Sequence, residues 1–294
     1  MRVAEVFVAG AGLMGLGIAQ VCAQAGLAVH LFDLDPDQVD QALENIRWSV
    51  DKLVAKGKVA GSVDEVMARI SPAADLAPAA GADLVMEVVF EDLEAKRRLY
   101  RELAPVVSDE ALVASNTSAI PISQLAAHAP DPQRFLGLHF FSPAPMMGAV
   151  EVIRGGLTTR EVFAAGGDFV RAIGKEPIMV QRDVPGFVLN RINFPSTIEA
   201  MRLVEAGVAT VEDIDKGLRL AMGRRMGIFE TGDMVGLDVT HGALMAMYQE
   251  TGEPRWFPPL LLRRKVAAGQ LGRKTGVGWY RYDDQGRRLG PAED

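Results

Sequence analysis

Two ionisable residues, His139 and Glu151, each stand alone in the middle of an apolar run. The runs 135–141 and 149–153 have the length and composition of buried strands, and a proline-containing loop joins them. A buried carboxylate is costly unless it is paired, and pairing with an imidazole fixes the ring tautomer and leaves the other nitrogen free for a substrate. The two residues are therefore a candidate general base and its orienting acid. The alternative is an ordinary core histidine, which is the commoner role of a lone histidine in an apolar strand.

A glycine-rich turn near the N-terminus is the second candidate site. Val3–Ala9 predicts a buried strand and Leu16–Ala25 predicts a helix, and a dinucleotide-type fingerprint lies between them: Gly10, Ala11, Gly12, Leu13, Met14 and Gly15. The first glycine permits a tight turn, the second lets the backbone approach a pyrophosphate, and the third lets the helix pack closely on the strand. The N–H groups at the start of the helix favour bound phosphate.

The acidic residues after the next predicted strand indicate which dinucleotide the turn binds. Asp33 ends the strand Ala28–Phe32, where its carboxylate can accept hydrogen bonds from ribose hydroxyls. Asp35 adds negative charge that would repel a 2′-phosphate, so the pattern favours NAD over NADP. The alternative is a structural turn followed by a solvated aspartate.

The order of predicted elements indicates the fold class. Strands and helices alternate as far as the strand at Pro177–Val180, which implies a Rossmann-type, doubly wound, mostly parallel α/β sheet. Pro185 and Gly186 then break regular structure, and the pattern beyond them is helical. We predict a dinucleotide-binding domain over 1–184 and an all-α domain over 185–294, with a frayed polar end over 283–294.

Composition excludes several classes of function. The chain has 294 residues and a formal net charge of −7, which argues against non-specific binding of nucleic acid. Its single Cys22 cannot form an internal disulfide or a cysteine-based zinc cluster, and no metal site is predicted. No secretory signal is visible, and no apolar stretch is long enough to span a bilayer. We expect a cytoplasmic protein with no membrane partner.

Five motifs together resemble the L-3-hydroxyacyl-CoA dehydrogenase family, and the resemblance extends over essentially the whole chain. It is closest to the short, single-activity members that act on 3-hydroxybutyryl-CoA. The motifs follow in the family's order: GAGLMG with Asp33, SNTS at 115–118, HFFSPAPMM at 139–147 followed by VE at 150–151, DVPGFVLNR at 183–191, and GRKTGVGWY at 272–280.

The resemblance implies a reaction and its catalytic residues. The expected reaction is the NAD-dependent oxidation of an L-3-hydroxyacyl-CoA to the 3-ketoacyl-CoA. His139 matches the family's catalytic base and Glu151 the acid that pairs with it. Ser118 and Asn190 match the residues that polarise the substrate. The resemblance also implies a homodimer formed through the C-terminal domain.

The resemblance assigns further residues to the cofactor and to coenzyme A. Expected cofactor contacts, besides the glycine turn and Asp33, are Glu91, Lys96 and Asn116. From their sequence positions alone, Glu91 and Lys96 are equally well explained as ordinary charges at a helix start. Ser49 and Lys56 match positions that contact coenzyme A, whereas the pattern itself leaves Lys56 as either a phosphate-binding cation or a solvated helix end.

Three positions depart from the family pattern and leave the exact substrate open. Ser142 replaces a usual asparagine, Gly148 replaces a usual lysine, and Arg225 begins a segment that lacks the usual prolines. Two other functions compete with the expected one. They are a β-hydroxyacid dehydrogenase that acts on a free acid, and a non-catalytic NAD-binding protein on the same scaffold.

Overall fold

The computed structural model describes residues 2–59 and 61–292. The chain forms two compact units, Met1–Phe187 and Val188–Asp294. The boundary predicted from the sequence, after residue 184, lies just before this division. None of the helices within the described ranges is both long and apolar enough to cross a membrane.

The first unit is built on one eight-stranded sheet with the strand order β3-β2-β1-β4-β5-β6-β7-β8. Only β6 and β7 pair antiparallel; the other neighbours pair parallel. The predicted Rossmann-type, mostly parallel sheet is confirmed. The strands are β1 (Glu5–Ala9), β2 (Ala28–Phe32), β3 (Ile70–Ala73), β4 (Leu84–Glu87), β5 (Leu112–Ser115), β6 (Phe135–Phe140), β7 (Ala149–Ile153) and β8 (Glu176–Val180).

Within the described ranges, α-helices lie in the connections between these strands. They are α1 (Leu13–Gln24), α2 (Pro36–Ala55), α3 (Val63–Met67), α4 (Leu93–Leu103), α5 (Ile122–Ala126) and α6 (Arg160–Ala172). The central strands β4, β5 and β6 are buried along their whole length because helices cover both faces of the sheet. Side chains such as Val6, Ile18 and Leu136 are fully buried in one continuous core.

The second unit is helical, as predicted, with one short antiparallel hairpin in addition. Its helices are α7 (Leu189–Glu205), α8 (Val211–Met222), α9 (Ile228–Val235), α10 (Leu237–Thr251) and α11 (Leu260–Ala267). Strands β9 (Tyr280–Tyr282) and β10 (Arg288–Pro291) form the hairpin. The prediction of a frayed end was therefore wrong for 288–291, because backbone pairing with β9 orders this part of the polar segment 283–294.

A buried carboxylate attaches this hairpin to the helices. Asp233, on α9, is only 1% exposed. It accepts hydrogen bonds from the backbone N–H groups of Trp279 (2.8 Å) and Tyr280 (2.9 Å) and from the hydroxyl of Tyr282 (3.0 Å). The GRKTGVGWY motif therefore closes the core of the second unit, where the rings of Trp279 and Tyr280 are buried.

We expect Asp233→Ala to lower the free energy of unfolding by about 3–5 kcal/mol, because it leaves two backbone donors and a hydroxyl without an acceptor. Urea denaturation followed by circular dichroism measures the change. The exposed Asp284, altered in the same way, is the matched control and should change stability by no more than about 0.5 kcal/mol. Equal effects of the two substitutions would contradict a structural role for Asp233.

Candidate functional site

The antiparallel pairing of β6 with β7 brings His139 and Glu151 together. They are directly opposite residues in the register of the two strands, so their side chains point to the same face of the sheet. Nδ1 of His139 lies 2.7 Å from Oε2 of Glu151. The histidine is 3% exposed and the glutamate 0%. The carboxylate therefore accepts a hydrogen bond from the Nδ1–H group, and the lone pair of Nε2 points away from Glu151.

The other ring nitrogen of His139, Nε2, faces Ser118 of the SNTS motif. Oγ of Ser118 lies 3.0 Å from Nε2 of His139. The rings of Phe141 and Phe187 pack edgewise on the imidazole, with centroids 4.6 and 5.6 Å away. Phe187 adopts the left-handed conformation (φ 47°), which a non-glycine residue keeps only where its surroundings hold it. The imidazole is thus enclosed, with one nitrogen held by an acid and the other beside a hydroxyl.

Glu91 fixes the turn that presents Ser118. Its Oε1 accepts hydrogen bonds from the backbone N–H groups of Ser118 (2.8 Å) and Ala119 (3.0 Å) and from Oγ1 of Thr117 (2.5 Å). Desolvation by these neighbours would raise the pKa of Glu91, but the positive charge of Lys96 and these hydrogen bonds bring the pKa below its ordinary value. Glu91 is therefore ionised at neutral pH and acts as an acceptor for the turn.

Lys96 is buried between two carboxylates. Its side chain is 1% exposed, and Nζ lies 2.6 Å from Oε1 of Glu87 and 3.2 Å from Oε2 of Glu91. Hydroxyls of Tyr100 and Ser115 donate to the other oxygen of Glu87. The sequence analysis missed Glu87, although a lone acid inside the apolar run LVMEVV was a signal for it. The geometry gives Lys96 a place within this network, whereas its predicted contact with the cofactor stays a prediction.

The glycine turn has the conformation and the close contacts that the fingerprint requires. Gly10 has φ +115°, and a Cβ added to Gly15 would lie 1.8 Å from the carbonyl oxygen of Gly10. A Cβ on Gly12 would meet nothing within 4 Å, so that glycine faces open space. The carboxylate of Asp33 lies against the same turn, where Oδ2 accepts from the N–H of Ala11 at 2.8 Å.

These features fit a dinucleotide. Helix α1 begins at Leu13 with no side-chain cap at its N-terminus in the described part of the chain, so its first N–H groups remain available for a phosphate. Asp33 is half-buried and follows β2, at the same edge of the sheet as the turn. Met14 lies in the first turn of the helix beside Leu13. The open space at Gly12 is where a pyrophosphate can approach the backbone.

Asn116 links the SNTS turn to the strand of the histidine. Its Oδ1 accepts a hydrogen bond from the N–H of Phe140 at 2.8 Å. The candidate residues that follow β2, β1, β4 and β5, together with His139 near the end of β6, lie at the carboxyl ends of adjacent parallel strands. Ligands bind at this edge in sheets of this kind.

The predicted coenzyme A contacts of the first unit lie on a helix and not at the strand ends. Ser49 lies in the turn of α2 before the last one, and Lys56 is the C-cap of that helix and is exposed. Asn190 is the second residue of α7 and belongs to the second unit. Two of the three departures from the family pattern lie in open surroundings. A Cβ added to Gly148 would meet nothing within 4 Å, and Arg225 is exposed.

The remaining departure, Ser142, precedes a cis peptide bond to Pro143 in the loop between β6 and β7. Among the described residues, no group of three or more histidine, cysteine, aspartate and glutamate side chains is arranged to hold a metal ion.

Comparison with known proteins places both units in one family. Residues 5–184 match the family model described as "3-hydroxyacyl-CoA dehydrogenase, NAD binding domain", and residues 186–282 match "3-hydroxyacyl-CoA dehydrogenase, C-terminal domain". A Deinococcus radiodurans protein described as "Probable 3-hydroxybutyryl-CoA dehydrogenase" is 41% identical over 275 residues, which cover 94% of this chain and 99% of that relative.

Solved structures agree with this match. The crystal structure of FadB2 from Mycobacterium tuberculosis has a TM-score of 0.92 and 40% identity, covering 96% of this chain and 100% of that one. The crystal structure of (S)-3-hydroxybutyryl-CoA dehydrogenase PaaH1 from Ralstonia eutropha has a TM-score of 0.90 and 37% identity, with the same coverage of 96% and 100%.

We expect Gly12→Ala to weaken NADH binding at least about tenfold, equivalent to about 1.4 kcal/mol, while leaving the melting temperature unchanged. The added methyl group clashes with nothing in the protein but occupies the space into which a pyrophosphate must come. NADH fluorescence titration measures the affinity. Gly217→Ala, another glycine with open space around it, is the control. Unchanged affinity in Gly12→Ala would show that the pyrophosphate does not bind at this turn.

Proposed function

Because the chain belongs to the 3-hydroxyacyl-CoA dehydrogenase family, we propose that it oxidises a short-chain L-3-hydroxyacyl-CoA, such as 3-hydroxybutyryl-CoA, to the 3-ketoacyl-CoA with NAD⁺, in a reversible reaction. The observation that carries the proposal is the hydrogen-bonded series from Glu151 through His139 to Ser118. It lies at the same edge of the sheet as the glycine turn. A proton acceptor and a cofactor site at one edge are what the oxidation of an alcohol requires.

His139 is the proposed general base. Glu151 holds the imidazole in the tautomer with the proton on Nδ1. The unprotonated Nε2 then takes the proton of the substrate's 3-hydroxyl group. The carboxylate of Glu151 then stabilises the imidazolium ion, which would otherwise be a buried, unpaired charge. A positioned base of this kind contributes about 10²–10⁴-fold to the rate. In the reverse direction the imidazolium returns the proton to the carbonyl oxygen.

The cofactor is NAD, for which the turn Gly10–Gly15 and Asp33 form the proposed binding site. NAD⁺, when bound, supplies the acceptor for the hydride from C3 of the substrate. Glu91, Lys96 and Asn116 are proposed to support the nicotinamide side of the site, either by contact or by fixing the turn at 116–119. Asp33 and Asp35 disfavour a 2′-phosphate through their negative charge.

Substrate binding is proposed to use residues from both parts of the chain. Ser118 and Asn190 would hydrogen-bond the substrate oxygens and orient C3, and orientation of reactants can supply about 7–11 kcal/mol in favourable cases. Ser49 and Lys56 would contact coenzyme A, for which the exposed ammonium of Lys56 is suited. In this proposal 1–184 is the NAD-binding domain and 185–294 the substrate and dimerisation domain.

We also propose that the protein is a cytoplasmic homodimer assembled through the C-terminal domain. Large apolar side chains on α7 and α8 are exposed in the single chain, among them Ile192, Leu220 and Met222. Exposed apolar groups of this kind are typical of surfaces that a partner covers.

The substrate class is tested by NADH oxidation with acetoacetyl-CoA, compared with NADPH and with free acetoacetate. We expect rapid turnover only with NADH and the CoA ester. Comparable activity with free acetoacetate would favour a free-acid dehydrogenase. Binding of NADH without turnover of short- or longer-chain 3-ketoacyl-CoA esters would favour a non-catalytic protein.

We expect His139→Gln to lower kcat by about 10²–10⁴-fold, because it removes the base but keeps a polar side chain of similar size. The affinity for NADH should stay within a few-fold of the wild-type value. Steady-state kinetics and fluorescence titration measure the two quantities. His128→Gln, which alters a histidine that contacts Arg97 instead, is the control and should keep full activity. Near-normal turnover of His139→Gln would reject the assignment of the base.

A further inference from the structure

A buried lysine outside the site described so far binds the loop between the two catalytic strands. Lys175 follows α6, immediately before β8, and is 8% exposed. Its Nζ donates hydrogen bonds to the carbonyl oxygens of Ala144 (2.8 Å) and Met147 (2.5 Å). Both acceptors belong to the loop 141–148, which joins β6 to β7.

The environment of Lys175 explains how its charge is tolerated. Burial lowers the pKa of Lys175 below its ordinary value, and the nearby Cys22 acts in the opposite direction. No carboxylate of the residues in the described ranges forms an ion pair with it; its hydrogen-bond acceptors are the two loop carbonyls. Because burying an ammonium group is costly, its two hydrogen bonds to the loop carbonyls indicate that it has a specific role in holding the loop.

The loop needs such a support because of its length. A two-residue hairpin turn would fix the register of β6 against β7 by itself, whereas this connection has eight residues, 141–148. The last residue of the loop is held next to Lys175 as well, because the N–H of Glu176 donates a hydrogen bond to the carbonyl oxygen of Gly148 at 2.8 Å. On its other side the loop lies on α1, where a Cβ added to Gly17 would be 3.1 Å from Cβ of Ala144.

We propose that Lys175 is a positioning residue for the reaction: its ammonium group holds the loop 141–148, and through it the alignment of His139 with Glu151. The inference rests on the proposed function of that pair. Lys175 touches neither substrate nor cofactor in this role. It acts at the two strand ends, where a small displacement of the loop changes the direction in which Nε2 of His139 faces.

The surroundings allow the side chain to be exchanged. Lys175 borders a cavity of about 350 Å³ that Gln24 and Lys58 also line. Methionine keeps the length of the side chain without its donors, and arginine keeps the donors with a larger head group that the cavity can receive. Lys58→Met removes a different, exposed cation from the same cavity and is the matched control.

The experiment compares Lys175→Met, Lys175→Arg and Lys58→Met with the wild type in the reduction of acetoacetyl-CoA by NADH. We expect Lys175→Met to lower kcat about tenfold or more, since displacements of about 1 Å at a catalytic group can cost about 10²-fold. Arginine should recover most of the loss, and Lys58→Met should leave kcat unchanged. The fraction of chains that bind NADH, measured by fluorescence titration, should stay at the wild-type level in all three variants.

Two outcomes would overturn the inference. Wild-type kcat in Lys175→Met would show that the loop does not need the ammonium group. A parallel fall of kcat and of the NADH-binding fraction would show that Lys175 serves only the stability of the fold. Failure of the wild-type protein to reduce acetoacetyl-CoA would instead reject the proposed substrate. The two hypotheses are thus tested separately.

Discussion

The structure depends most on a carboxylate that is buried without access to water. Glu151 is fully inaccessible, and the imidazole of His139 gives it a partner at 2.7 Å. Isolated in an apolar sheet, either residue would destabilise the fold. Their pairing follows from the register of β6 against β7, in which the two residues lie directly opposite each other and share one face of the sheet. The register of this antiparallel pair is therefore the feature on which the candidate chemistry depends.

The parallel strands on one side of that pair position the residues of the proposed cofactor site. Their carboxyl ends place Asp33, the glycine turn, Glu91 and Ser118 in succession along one edge. Neighbouring strands lie about 4.8 Å apart, so the glycine turn after β1 is about 14 Å from the end of β6. A dinucleotide extended along the edge can therefore have its phosphates at the turn while its reactive end is near His139.

The sequence predicted the parts of this arrangement that depend on local pattern. The glycine turn, Asp33 and the His139–Glu151 pair in apolar runs are visible because residue type and spacing alone mark them. The burial of Lys96 was not predictable from its position at a helix start, since its partner Glu87 lies on another element. Lys175 was missed for the same reason: its acceptors are backbone carbonyls about thirty residues away, and a backbone carbonyl leaves no signature in a sequence.

The turn at 116–119 connects the two halves of the site. On one side Glu91 accepts hydrogen bonds from its backbone, and the charge of Lys96 helps to lower the pKa of Glu91. On the other side Asn116 holds the N–H of Phe140, and Ser118 faces the ring of His139. Because each contact is made by a side chain that is itself fixed, the hydroxyl and the imidazole have little freedom to move apart. In the proposed mechanism, rigid placement of this kind lets the base meet a substrate proton without reorganisation, which is where much of the rate advantage of an enzyme arises.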